Sequence, residues 1–252
     1  MARCTWLLWA CLLIAVGVAR AEGLAPPAQI NLVSEEWLEY TGADGTGLGW
    51  DLMRKVFEPA GVKVRLRVAP YTRAVGLVRR GEVDAWVGSY KDESPALYPR
   101  WHFDVDRIFA LGLAGRPPAT LAEIGRYRLA WVRGYEFDKY LPGIQYYNEV
   151  QRRTGILAML GHGRTDFYID SLAEVEFVLK DAEDPAQYSA RHLIDLPLYL
   201  GFADTARGRA LMQLFDQRMS ELVPSGELRP IFERWHQPYP YDDSKWADHQ
   251  PH

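Results

Sequence analysis

Cysteine is all but missing from this chain: Cys4 and Cys11 are the only two, and both lie in an apolar N-terminal run. The rest of the chain can form no disulfide and perform no thiol chemistry. Its histidines, from His102 to His252, do not form the ligand cluster that a zinc site requires. Neither a Gly-x-Ser-x-Gly nucleophile elbow nor a phosphate loop is found, and the glycine-rich "GTGLGW" lacks the Lys-Ser/Thr ending of such a loop. These absences predict no metal, no cofactor and no motif-borne catalytic residue. Basic runs are short as well. The arginine pairs Arg79-Arg80 and Arg152-Arg153 stand isolated in a chain of formal charge −4, which argues against a nucleic-acid partner. Beyond residue 21 no apolar run is long enough to span a bilayer.

What is present begins with "MARCTWLLWACLLIAVGVARA", in which Arg3 precedes an apolar core and Ala19-Arg20-Ala21 follows it. A positive start, a core short for a bilayer and small residues at −3 and −1 predict a signal peptide, residues 1–21, cleaved after Ala21. That reading is preferred to an uncleaved anchor, and the bulky Trp9 argues against lipid attachment at Cys11. The expected product is an exported, periplasmic protein. Losing Arg3 and Arg20 takes its formal charge from −4 to −6. About 230 remaining residues suit two lobes better than one small domain.

The pattern along the chain is strand, helix, strand, helix, strand, which predicts right-handed crossovers and a parallel sheet. Ile30 and Leu32 mark a first strand. Trp50, Met53, Val56 and Phe57 recur at helical spacing before Pro59 and Gly61. "VKVRLRV" alternates strictly, a half-covered strand. A helix over 72–80 ends at Gly81, and a buried strand covers 83–88. After Pro117-Pro118 the pattern restarts. Thr120 with Glu123, and Ser171 with Glu174, read as capping boxes. Helices are expected after "RGYEF" and over 151–160, then at 172–180, 207–222 and 227–235. "GRTDFYID" echoes "RGEVDAWVGS", so Asp84 and Asp166 read as equivalent structural positions in two lobes of one plan. The long apolar strands around Phe109 and Leu198 are the expected crossings between lobes. The Pro- and Tyr-rich tail, 237–252, reads as a surface strap or a disordered end.

From about Gln29 to Trp235 this order resembles the family 3 periplasmic solute-binding proteins, the amino-acid-binding type that serves ABC importers. The resemblance rests on "GLGWDLMRKVFEPAGV", "GEVDAWVGSY", "GRTDFYIDS" and "GELRPIFERW" in that order. It implies an α/β, two-lobed periplasmic-binding-protein type II fold. Each lobe would be a mostly parallel sheet flanked by helices, joined by two crossover hinge strands. The expected boundaries are 22–112 and 197–236 for lobe one and 113–196 for lobe two. A ligand would sit at the strand ends between the lobes, as in open α/β sheets generally. Two departures stand out. The family's carboxylate-gripping arginine falls at Ser94, and the Thr or Ser expected after Gly134 is Tyr135. The usual anchors of an α-carboxylate are thus missing or moved.

The candidate ligand-binding residues are Trp37, Tyr71, Arg73, Ser89, Tyr90, Lys91, Glu93, Arg133, Gly134, Tyr135 and Asp170. Trp37, Tyr71, Tyr90 and Tyr135 each follow a predicted strand, where rings supply area and a polar tip. Arg73, in the first turn of its helix, is the substitute carboxylate clamp; the alternatives are a solvated arginine or a pair with Glu93. Ser89, Lys91 and Glu93 lie in a polar turn after a buried strand, as ligand contacts or as surface charges. The N–H groups at Arg133-Gly134 precede a predicted helix and suit an anion. Asp170 resembles the family's ammonium-binding carboxylate. The expected partners are a small-molecule ligand and an ABC permease or membrane sensor, the protein itself being a monomer. The competing reading is an enzyme on the same scaffold, resembling the cyclohexadienyl dehydratases, with Glu93, Glu136 or Asp170 as proton donor.

Overall fold

The computed structural model describes residues 27–93 and 95–242. The signal segment, Ser94 and the last ten residues of the tail lie outside the described residues. The first lobe is built from β1 (Gln29–Ser34), α1 (Leu48–Phe57), β2 (Lys63–Val68), α2 (Tyr71–Arg79) and β3 (Ala85–Ser89). β1 pairs in parallel with β2 on one side and β3 on the other. The alternation in β2 places Lys63, Arg65 and Arg67 outward. Because β2 is the last strand of the sheet, that charged face also discourages pairing with another chain. Trp50, Met53, Val56 and Phe57 are the buried stripe of α1. Gly61, at φ 79°, turns the chain back toward β2.

The second lobe holds β5 (Leu129–Val132), β6 (Tyr147–Val150), α3 (Ile156–Gly161), β7 (Phe167–Ser171) and α4 (Leu172–Leu179). β5 is again parallel to both neighbours. Two long strands join the halves: β4 (Asp104–Leu113) and β8 (Tyr188–Phe202). β8 is antiparallel to β4 from Tyr188 to Leu198 and then to β3 from Tyr199 to Phe202. The sheet order is β2-β1-β3-β8-β4-β7-β5-β6. Two parallel blocks thus share an antiparallel seam, and the expected crossings at Phe109 and Leu198 lie on β4 and β8. α5 (Ala206–Ser225) returns to the first lobe, where Phe215 meets Phe57 at 6.1 Å, and α6 (Arg229–Arg234) follows.

The echo between Asp84 and Asp166 has a shared geometry. Asp84 N–H donates to the Asn31 carbonyl at 3.0 Å, while its carboxylate accepts the Asn31 N–H at 2.7 Å. Asp166 does the same with Arg128, at 2.7 and 2.8 Å. Each side chain extends a parallel ladder by one rung at the strand entrance, satisfying an amide that the strand alone leaves open.

Helix expectations fared unevenly. Residues 151–155 are turns, and helix begins only at Ile156, where Gly155 in the left-handed region (φ 93°) precedes it. After "RGYEF" there is only a 3-10 turn, Phe137–Lys139, and after Thr120 another, Ile124–Arg126. The Thr120 hydroxyl bonds the Glu123 side chain instead of a backbone amide. Ser171 does cap α4 through the Glu174 N–H. The Glu174 carboxylate, however, turns to Arg153 at 2.9 Å, and the Ser171 amide is satisfied instead by Asp170 Oδ1 at 2.9 Å. The described part of the tail is a fixed strap. Tyr241 is buried and donates to the His102 carbonyl at 2.6 Å, while Asp242 accepts two bonds from Arg229.

Candidate functional site

A cavity of about 250 Å³ lies between the lobes, beside the two joining strands. Its walls come from loops after β1 (Trp37, Tyr40), β3 (Tyr90) and β5 (Tyr135), from the first residue of α2 (Tyr71), from the end of β7 (Asp170), and from Tyr239 in the strap. Parallel strands all point their carboxyl ends the same way, so the loops of each lobe converge there. Gly88 makes room for one wall. It sits at φ 90°, and a Cβ there would meet the Trp37 ring at 2.4 Å, so only glycine lets that ring lie on the strand end.

The cavity is acidic. Asp104, Asp106, Asp170 and Glu174 line it, with Glu39 and Glu176 exposed at the rim; Arg107 is its one lining cation among the described residues. Asp104 and Asp106 share a face of β4, two residues apart. Tyr40 donates to Asp104 Oδ2 and Tyr90 donates to Asp106 Oδ2, each at 2.8 Å. Burial pushes the Asp104 carboxyl up to about 7, against the pull of the Tyr40 hydroxyl and the Val105 amide. Asp106 is likewise pushed up to about 7 by burial and then by the charges of Asp170, Asp104 and Glu174, while the Tyr90 bond opposes the rise. Burial keeps the phenols of Tyr40, Tyr71, Tyr90 and Tyr135 well above their usual range, so all four remain hydrogen-bond donors.

Arg153 organises the second-lobe wall. Its Nε lies 3.0 Å from Asp170 Oδ2 and 2.9 Å from Glu174 Oε2, and its Nη2 donates to the Tyr135 hydroxyl at 2.8 Å. Tyr168 donates a further bond to Asp170. Burial works against the Arg153 charge, but Asp170, Tyr135, Tyr168 and Glu174 together hold it firmly protonated. Glu174 is pushed up to about 7 by burial, with Arg153 opposing. Tyr135 in turn donates to Glu35 of the first lobe at 2.9 Å, and its ring meets Tyr71 edge-on at 5.4 Å.

The candidates from the sequence divide in space. Trp37, Tyr71, Tyr90, Tyr135 and Asp170 are brought together on the cavity. Glu93 is buried behind it, accepting from Tyr71, from Ser89 at 3.2 Å and from the Tyr90 amide at 3.0 Å. Ser89 is fully buried in that same knot. Arg73 and Lys91 are exposed, away from the cavity lining. Arg133 is exposed and faces Glu149 at 3.8 Å, and the Gly134 amide donates to Glu149 at 3.1 Å, so the protein supplies its own anion there. Glu136 pairs with Lys139 outside the lining.

The cavity also takes residues that the sequence reading did not single out: Tyr40, Asp104, Asp106, Glu174 and Tyr239, with Glu35 and Arg153 behind them. Asp104 and Asp106 left a trace in "FDVDRIFALGL", two acids alternating on one face at the start of a buried strand. Arg153 left none, since it looks like any surface arginine doublet. No group of residues that could hold a metal ion occurs among the described residues.

No protein-family model matches the sequence. No curated protein sequence matches it either. Solved structures do. A histidine kinase sensor domain with similarity to periplasmic binding proteins superposes at a TM-score of 0.66, with 16% identity over 82% of this chain and 95% of that one. The type II periplasmic-binding-protein fold is therefore this chain's fold. A substrate-binding protein of an ABC uptake transporter from Streptococcus pneumoniae, with bound histidine, matches at 0.64 and 16% identity, covering 82% of this chain and 92% of that one. The ancestral amino acid-binding protein AncCDT-1, a precursor of cyclohexadienyl dehydratase, matches at 0.62 and 12% identity over 82% and 95%. In this fold the cavity occupies the cleft between the two lobes, and the β4–β8 seam joins them.

Proposed function

We propose that the protein is an exported, periplasmic solute-binding protein. It is cut after Ala21 and acts as a monomer, delivering a small polar solute to an ABC importer or a membrane sensor. Lobe one (22–112 and 197–236) and lobe two (113–196) close around the solute. The observation that carries this reading is the interlobe cavity, walled by rings and carboxylates from the strand ends of both lobes. The fold's neighbours, an ABC transporter component and a sensor domain among them, support the same reading. Affinity comes from desolvated charge-assisted hydrogen bonds and ring contact, and the solute favours the closed state by touching both lobes at once. The chemistry is holding, not cleaving. Mass spectrometry of solute released from the purified, denatured protein tests it. A stoichiometric small polar molecule, rebinding to wild type but not to Trp37→Ala, is expected; a protein that neither carries nor binds any solute would end the proposal.

One observation favours a second reading. Asp104 and Asp106 stand in the cavity with their carboxyls pushed up to about 7 by burial, the range that suits a proton donor for a lyase. Steady consumption of a bound solute, abolished in Asp106→Asn, would make the protein an enzyme.

A further inference from the structure

The cavity's charge is one-sided in a way that narrows its guest. Asp104 and Asp106 project from one face of β4, and no ion pair joins either to a cation among the described residues. Half-buried Arg153, nearby, is already shared between Asp170 and Glu174 at 3.0 and 2.9 Å. A guest carboxylate would find one guanidinium in the described wall, that of Arg107, exposed to solvent and alternating onto the face of β4 opposite Asp104 and Asp106, and would face two acids that no ion pair neutralises. Asp106 Oδ2 accepts from Tyr90, whereas no partner among the described residues meets its Oδ1. Half-buried Asp106 therefore has lone pairs directed at the guest space. Around it stand rings of Trp37, Tyr71 and Tyr90, whose faces attract cations.

Resting on the reading of this cleft as the solute site, we infer that the guest is an organic cation lacking a carboxylate: an alkylamine, diamine or guanidine, not a zwitterionic α-amino acid. Its cationic head lies against Asp106 and Asp104, within the rings, and its chain runs toward Tyr135. The Arg153 cluster forms the floor and does not grip the guest. A zwitterion is disfavoured because its carboxylate would have to break the Arg153 pairs, lie unpaired among acids, or settle for exposed Arg107, where a solvated ion pair returns little.

Calorimetric titration of the full-length mature protein decides the matter, using agmatine and cadaverine, their carboxylated parents arginine and lysine, and the anions glutamate and succinate. The amines are expected to bind at least tenfold more tightly than their parents, the anions not at all. Asp106→Asn should weaken amine binding at least tenfold while leaving the circular dichroism spectrum of the empty protein unchanged. Equal binding of agmatine and arginine, or tight binding of an anion, overturns the inference. If that binding is lost in Trp37→Ala, the cleft reading survives while the cation assignment fails. If no probe binds and no solute co-purifies, both fall together.

Discussion

Tyr135 reaches from the second lobe to donate a hydrogen bond to Glu35 of the first, at 2.9 Å, while accepting one from Arg153 at 2.8 Å. Burial raises the Glu35 carboxyl, with Arg153 opposing the rise. The phenol therefore acts as a latch between halves that are otherwise joined covalently through the β4–β8 seam. Removing its hydroxyl forfeits about 1 kcal/mol of net bond energy. Tyr135→Phe should shift the closed population, and with it solute affinity, by about fivefold. Solution scattering of the empty protein should report a larger radius of gyration. An unaltered radius and affinity would show that the bond does not hold the lobes together.

Arg153 is the only cation set among Asp170, Glu174 and Tyr135 in the described residues. Deleting one member of such a buried set leaves like charges uncompensated and costs about 3–5 kcal/mol. Arg153→Met should lose that much in urea unfolding. Arg153→Lys should recover only part, since an ammonium cannot reproduce the forked contacts. Wild-type stability in Arg153→Met would place the charge in solvent.

The empty protein should lose stability as pH rises. Glu93 is buried and its folded value is about 7, raised by burial above the ordinary 4.5, against the bonds from Tyr71, Tyr90 and Ser89 and with help from Glu136. A raised folded value means that the folded state holds the proton longer. Its stabilisation is complete below the unfolded value and disappears as pH rises through about 7. The share of Glu93 is up to about 3 kcal/mol between those limits. Asp104 adds in the same direction. Thermal melts from about pH 5 to about pH 8 should show a falling midpoint, flatter in Glu93→Gln. A midpoint rising over that range would contradict the burial argument.

Gly88→Ala should abolish solute binding without unfolding the protein. The added methyl meets the Trp37 ring at 2.4 Å and the backbone sits at φ 90°, so the ring must leave its wall and the strand end must strain by about 1–3 kcal/mol. Retained affinity would mean that the Trp37 wall is not used.

Arg73→Ala should change affinity by less than about twofold, because the side chain is exposed on α2 and outside the cavity lining. A loss of tenfold or more would instead assign Arg73 to the guest, carried there by a more closed arrangement of the lobes.

Much of this protein is written locally. The alternation of β2, the stripe of Trp50, Met53, Val56 and Phe57, and the strand ends that carry Trp37, Tyr71, Tyr90 and Tyr135 follow from periodicity and turn residues, which depend on neighbours in sequence. The likeness of Asp84 and Asp166 also shows in the chain, because each follows a glycine turn and opens a strand, although the amides they hold, of Asn31 and Arg128, lie far off in sequence. What the chain alone left open was which polar groups look inward. Arg73 and Arg153 are chemically the same, yet one is exposed and the other is 14% exposed, clamped between two carboxylates. Glu93 and Asp106 both seem ordinary acids, but one is walled in by Tyr71 and the other faces the cleft. Those outcomes depend on how two lobes meet across 100 residues of sequence, as between Glu35 and Tyr135. Burial and charge pairing are properties of that meeting, and only the tertiary structure fixes them.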